Sequence, residues 1–221
     1  MTRWFKVVVF LACLEPLGRL LWKFFGPTPT DVQSWSIGLG ANPIEFITHS
    51  TGDWTLIFLL ITLAITPLRK LSGLTWLIRY RRMLGLFAFF YGTLHLTTYV
   101  WLDKFFDAHA MLADVLKRRF ITAGLTGYLL MVPLALTSTS WSIGKLGGKR
   151  WQTLHRLIYF SAMAGVIHYI WLVKADLHQP LEYAFVLSLL LGYRAVTWLM
   201  PKSQPKKPGP APVRDIEASQ G

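Results

Sequence analysis

The sequence predicts an all-α membrane protein, a polytopic bundle of about six transmembrane helices with both termini in the cytoplasm. Of its 221 residues, 53% are hydrophobic and only 15% are charged, against roughly 25% charged in an average soluble domain. The formal net charge is nevertheless +12, and the basic residues lie between long apolar stretches. A nucleic-acid-binding protein or a disordered chain carries charge along most of its length, so this pattern excludes both classes.

Six apolar stretches come close to the roughly 17–25 helical residues that a bilayer core of about 30 Å requires. They are separated by loops that hold most of the charged residues. The predicted spans are roughly 4–25, 53–68, 84–102, 120–137, 151–173 and 181–200. We therefore expect one transmembrane domain over residues 1–200.

The charges of the loops predict the orientation of the helices. The 67–83 and 138–150 loops contain Lys and Arg but no acidic residue, whereas the 26–53 loop contains acidic residues but no Lys or Arg. Lys and Arg accumulate in cytoplasmic loops. The first, third and fifth spans are therefore expected to run outward and the other three to run back. The segment 201–221 is rich in Pro and Lys and is expected to be a disordered cytoplasmic tail.

Two histidines lie at the same depth on helices that are predicted to be parallel. His95 is about 10 Å and His168 about 6 Å from the outer ends of the third and fifth spans, given a rise of about 1.5 Å per residue. Ionisable residues within a membrane are costly and are candidates for function. Imidazoles that face each other at one depth can bind a haem iron from both sides. The alternative is a pair of neutral histidines that hydrogen-bond between helices.

Small residues lie on the same helical faces as these histidines. They precede each histidine by three and seven residues, a spacing that shares one face of a helix, and they are Ala88, Gly92, Ser161 and Gly165. A flat macrocycle needs small side chains beside it, so we expect these positions to pack against haem. Ordinary packing of small residues between helices is the alternative.

A third histidine lies toward the cytoplasmic side. His155 is thirteen residues before His168, or about 20 Å along a helix. The corresponding position on the third span is Arg81, within the basic group Arg79, Arg81 and Arg82. Two interpretations remain open: a haem with His155 as its single ligand and arginines on its propionates, or a docking site for a quinone. The alternative to both is that the arginines only anchor the helix at the interface.

The remaining sequence features point away from self-contained catalysis. His49 is expected just before the second helix, which Ser50 or Thr51 would cap, and is interpreted as interfacial. The single cysteine, Cys13, excludes an internal disulfide and covalent haem attachment through a CxxCH motif. No nucleophile–base triad or phosphate-binding loop stands out, so no catalytic residue is predicted. Any substrate chemistry is therefore expected on a partner protein or at a loop surface.

Several motifs, in order along the chain, resemble the MsrQ (YedZ) family of ferric-reductase-like transmembrane proteins. They are HSTG (49–52), LAITPLR (63–69), IRYRRMLGL (78–86), TLHLTTY (93–99), ALTST (135–139), KLG (145–147), WQTLH (151–155) and IHYIWLVK (167–174). In place of Arg81, the two-haem oxidases of the wider superfamily have a histidine.

The resemblance implies a function in electron transport. It implies one or two b-type haems on iron ligands at His95, His155 and His168, and also FMN. It implies electrons from the quinone pool of the bacterial inner membrane. It further implies a heterodimer with MsrP, a periplasmic molybdopterin reductase that repairs methionine sulfoxide in oxidised proteins. The alternatives are a related ferric or quinone-linked reductase with another acceptor, and a transporter with structural histidines.

Overall fold

The computed structural model describes residues 3–25, 42–173 and 175–200, so the predicted tail at 201–221 lies outside the described residues. The described part of the chain is helical and contains no strand, which confirms the all-α class. Its helices are α1 (Arg3–Phe25), α2 (Pro43–Ser72), α3 (Ile78–Thr97), α4 (Ala108–Lys117), α5 (Arg119–Leu136), α6 (Ser140–Leu146), α7 (Gly148–Leu154), α8 (Leu157–Leu172) and α9 (His178–Leu199).

Three helical segments are long and apolar enough to cross a bilayer, as expected of a membrane protein. They are α2, α5 and the segment Thr75–Asp103, in which a 3₁₀ turn precedes α3 and a π-helical turn follows it. The centre of the fold is two helix pairs, α2 with α3 and α5 with α8. The pairs meet through contacts of α3 with α5 and of α2 with α8, while α1 packs on α3 and α9 packs on α2 and α8.

The second helix is longer than the predicted 53–68 span because it begins ten residues earlier, at Pro43. Asn42 accepts a hydrogen bond from the backbone N–H of Glu45, and its own amide donates to the Glu45 carboxylate. This reciprocal arrangement is a strong start signal for a helix, especially with proline at the first position. The expectation that Ser50 or Thr51 caps the helix is therefore wrong, and His49 lies inside α2.

The fifth predicted span, 151–173, is not one helix. It is divided into α7 and α8 by a turn at His155 and Arg156. The His155 Nδ1 atom lies 3.1 Å from the Trp151 carbonyl oxygen, and this bond from a side chain to the local backbone accompanies the end of α7. The segments 103–119 and 138–150, which separate predicted spans, contain the short helices α4 and α6.

A charged network connects the end of the π-helical turn to α4 and to the start of α5. The Lys104 Nζ atom lies 2.9 Å from the Asp114 carboxylate, the Tyr99 hydroxyl donates to the same carboxylate, and Arg118 lies 3.1 Å from it. The Lys104 ammonium holds the pKa of the Asp114 carboxyl below its usual value. The network therefore fixes the position at which α5 begins.

A proline inside α1 is compensated by a side chain of another helix. Pro16 has no N–H and interrupts the helical hydrogen bonds around it. The hydroxyl of Tyr91 on α3 enters this break: it accepts from the Leu17 N–H at 3.2 Å and donates to the Cys13 carbonyl at 2.9 Å. An inserted side chain of this kind is a recognised cause of a helix kink, and here it docks α1 on α3.

The proline inside α2 is also compensated by a side chain of another helix. Because Pro67 has no N–H, the carbonyl of Leu63, four residues earlier, loses its helical partner. The Arg194 guanidinium on α9 donates to this carbonyl, with 2.9 Å between Nη2 and the oxygen. A backbone group without a partner is costly in a membrane, so this bond holds α9 against α2.

We predict that Arg194→Ala lowers the free energy of unfolding by about 1–3 kcal/mol, because it leaves the Leu63 carbonyl without a partner. In a Pro67→Ala background, the restored N–H of residue 67 donates to the Leu63 carbonyl. Arg194→Ala should then lower the free energy of unfolding by less. Thermal unfolding in detergent of the wild type, both single variants and P67A/R194A measures the coupling. A coupling of zero would show that the arginine does not compensate for the proline.

Candidate haem-binding site

The structure brings His95 and His168 together between the two helix pairs. Their ring centroids are 6.0 Å apart, and the ring planes are nearly perpendicular, at 80°. His95 belongs to α3 and His168 to α8, so each helix pair contributes one imidazole. An iron between two imidazole nitrogens, at bond lengths of about 2 Å each, separates the ring centroids by roughly 6 Å. The spacing of these rings therefore fits a shared iron atom.

Backbone carbonyls fix which ring nitrogen is available to a metal. The His95 Nδ1 atom lies 2.9 Å from the Thr48 carbonyl oxygen, and the His168 Nδ1 atom lies 2.6 Å from that of Phe120. A carbonyl only accepts, so the proton of each neutral ring is on Nδ1 and the lone pair is on Nε2. Metal-binding histidines usually hold their second nitrogen in this way. The donor set is two oriented imidazoles, which suits an iron whose other ligands come from a macrocycle.

Two glycines that the sequence analysis missed lie against these imidazoles. A methyl group added at Gly52 on α2 would be 3.1 Å from the His95 Cε1 atom. One added at Gly124 on α5 would be 2.7 Å from the His168 Nδ1 atom. Both glycines lie on helices other than those of the histidines, so spacing from the histidines along the chain could not identify them. The only sign of them in the sequence is a glycine within an apolar stretch or close to one.

The small residues that were expected beside haem contact neighbouring helices in this structure. Ala88 and Gly92 are buried, and a methyl group at Gly92 would lie 3.0 Å from Met131 on α5. The Ser161 hydroxyl donates to the Gly127 carbonyl at 2.8 Å, and a methyl group at Gly165 would meet Leu56 at 2.9 Å. These contacts correspond to the helix-packing alternative, and the role of these residues beside haem stays a prediction.

His155 lies at the opposite end of the bundle, beside a cavity of about 530 Å³. Its ring stacks on Trp151 with 3.8 Å between centroids, and its buried Nε2 atom has no hydrogen-bond partner among the described residues. Such an atom is available to a ligand or a metal. The cavity is about 20 Å from His95 along α3, as the fourteen residues from Arg81 imply at about 1.5 Å each.

The cavity wall is basic. Arg81, Arg82 and Arg156 line it together with His155, and none of the described residues in its lining is acidic. Arg81 is half-buried, whereas Arg79 is exposed and is not part of the lining. Of the three arginines that were predicted at this end, the structure therefore brings two to the cavity. Three guanidinium groups around a cavity of this size suit a ligand with an anionic or strongly polar group.

Comparisons with known proteins place the chain within a described family. The profile of the family described as "Ferric reductase like transmembrane component" matches residues 51–166, a range that contains His95 and His155 and ends two residues before His168. A protein from Herminiimonas arsenicoxydans is 54% identical over 199 residues, which are 89% of this chain and 86% of that protein.

Two further relatives agree with this assignment. One from Azospira oryzae is 60% identical over 73% of this chain and 70% of its own, and one from Rhodospirillum rubrum is 50% identical over 94% and 93%. All three relatives carry the name protein-methionine-sulfoxide reductase heme-binding subunit MsrQ. The chain therefore belongs to the MsrQ family, within the ferric-reductase-like transmembrane proteins.

Proposed function

We propose that this protein is the haem-binding membrane subunit of a methionine-sulfoxide reductase and that it transfers electrons across the bacterial inner membrane, which it crosses several times. The observation that carries the proposal is the pair His95 and His168, whose ring centroids lie 6.0 Å apart with both Nδ1 atoms held by carbonyls. The names of the relatives, which mention haem and methionine-sulfoxide reductase, support it.

The residues of the site have separate tasks in this proposal. His95 and His168 would hold a b-type haem through Nε2, and the Thr48 and Phe120 carbonyls would keep both rings in the binding orientation. A haem held in this way accepts and releases one electron at a time. The histidines themselves need no protonation change, because each Nδ1 atom keeps its proton and donates it in a hydrogen bond to a carbonyl.

The cavity beside His155 is the proposed entry point for electrons from the quinone pool. Its arginines would bind either the oxygens of a quinone headgroup or the propionates of a second haem whose iron His155 holds. The absence of acidic residues from the lining and the partnerless His155 Nε2 atom support both versions.

The proposed acceptor is MsrP, a periplasmic molybdopterin reductase that would form a heterodimer with this chain. The positive-inside pattern supports this direction, because it assigns the His155 end to the cytoplasm and the end with His95 and His168 to the periplasm. FMN enters the proposal only through the family resemblance, and flavin fluorescence of the denatured pure protein tests for it.

We predict that His95→Ala and His168→Ala each lower the haem content of the purified protein at least about tenfold, because each removes one of the two imidazoles that would hold the haem. The measurement is the ratio of haem to protein from the Soret band and the pyridine haemochrome. His109→Ala and His178→Ala are matched controls, because both side chains are exposed and neither variant should lose haem. Full haem content in H95A and H168A would refute the pairing, and a colourless wild type would favour a transporter.

The cavity end has its own test. If His155 binds a second haem, His155→Ala should reduce the haem content roughly by half. If the cavity binds quinone, the haem content should stay unchanged while reduction by a quinol analogue slows. Gln152→Ala is the control, because Gln152 lines the same cavity without being a metal ligand. Unchanged haem content together with an unchanged quinol reaction in H155A would exclude both roles.

Delivery to MsrP is tested by reconstitution. Pure protein and MsrP in liposomes with a quinol should reduce methionine sulfoxide in a peptide. Transfer to ferric iron without any transfer to MsrP would instead indicate a related reductase with another acceptor.

A further inference from the structure

The two helix pairs repeat one local arrangement around their histidines. In each pair, one helix provides a carbonyl that binds the histidine Nδ1 atom and a glycine four residues later, while the other helix provides the histidine. In the first pair the carbonyl and glycine are those of Thr48 and Gly52 on α2, which face His95. In the second pair they are those of Phe120 and Gly124 on α5, which face His168. We refer to each carbonyl–glycine combination as a histidine seat.

Helix geometry explains the spacing of four residues. Residues i and i+4 lie one above the other on the same face, and each Cα–Cβ bond tilts toward the helix N-terminus. A side chain at i+4 therefore extends over the carbonyl of residue i, which is where the imidazole has to approach. Because this residue is glycine in both seats, the ring reaches a carbonyl that already lies in a regular helical ladder.

The distances show that a larger residue in either seat would force the imidazole to move. The hypothetical methyl group is 3.1 Å from the imidazole at Gly52 and 2.7 Å at Gly124, where the ring atoms Cε1 and Cγ are also within 3.0 and 3.1 Å. Carbon atoms in contact normally lie about 3.5–4.0 Å apart. The second seat is therefore the tighter one, and its hydrogen bond is also the shorter, at 2.6 Å against 2.9 Å.

We propose that Gly52 and Gly124 are positioning residues for the two axial ligands, and that the absence of a side chain at these positions sets the orientation in which His95 and His168 meet the iron. This inference rests on the proposed haem-binding function. The competing explanation is that the glycines only let the helices approach each other. Gly127, one turn after Gly124 on the same helix, separates the two explanations.

Gly127 is a glycine of helix packing, because the three atoms nearest to a methyl group added there belong to α8 and not to an imidazole ring. A methyl group there would meet the Ser161 carbonyl oxygen at 3.3 Å and the Gly165 nitrogen at 3.5 Å, both on α8. Gly127→Ala therefore disturbs the α5–α8 interface and leaves the seat intact. Gly192→Ala is a second control, because nothing lies within 4 Å of its added methyl group.

The experiment compares the full-length wild type with G52A, G124A, G127A and G192A, purified in detergent. For each protein it measures haem per protein, the visible and EPR spectra of the ferric form, the haem midpoint potential and the unfolding temperature. We expect G124A to lose haem affinity about tenfold or more, as is typical when the residues that orient a metal ligand are disturbed. We expect G52A to show a smaller loss, with a shifted spectrum and potential, and G127A and G192A to keep the wild-type spectrum.

Two results would overturn the inference: a wild-type haem content, spectrum and potential in G124A and G52A, or an equal loss of haem in G127A and G124A. If G124A does not accumulate, G52A decides, because its methyl group intrudes less. A wild type that binds no haem would instead overturn the proposed function. Haem in the wild type together with unaltered G124A and G52A overturns only the role of the glycines.

Discussion

The structure depends on one constraint, the need of polar groups within an apolar bundle for hydrogen-bond partners. In water such a group finds a solvent molecule, but within a membrane an unpaired polar group costs several kcal/mol. Several polar side chains that lie between helices therefore donate to carbonyls of a neighbouring helix. Five of these bonds are Tyr91 to Cys13, Arg194 to Leu63, His95 to Thr48, His168 to Phe120 and Ser161 to Gly127.

These bonds define both the fold and the candidate site. Those at the two prolines attach the outer helices α1 and α9 to the central pair α2–α3. Those of the histidines act within the pairs, and by holding Nδ1 they leave the Nε2 atom of each ring available to a metal. A single kind of interaction therefore docks helices where a helix is broken and orients metal ligands where it is intact. To be oriented by such a bond, an imidazole has to reach a carbonyl on a helix surface without a side chain, which explains the glycines at 52 and 124.

The two ends of the bundle differ in their chemistry. One end contains two imidazoles with oriented lone pairs, and the other contains one imidazole, three arginines and a cavity of about 530 Å³. The first is suited to symmetric binding of a metal by two ligands, and the second to a ligand that enters from outside and has a polar group. In the proposed function, electrons would enter at the second end and leave at the first.

The sequence by itself determined the helical class, the approximate positions of the apolar helices and the common depth of His95 and His168. It could do so because hydrophobic content and the rise per residue are local properties of a helix. Only the tertiary structure decided the break at His155, the partner of Leu63 and the residues that face the imidazoles. Arg194 is 131 residues from Leu63, and His95 is 47 residues from Thr48. Such contacts depend on how helices are rotated against one another, and this rotation is set by packing across the whole bundle. For the same reason, the sequence left haem contact and helix packing open for the small residues on the histidines' own helices, and only the structure shows the contacts of Gly92, Ser161 and Gly165 with neighbouring helices.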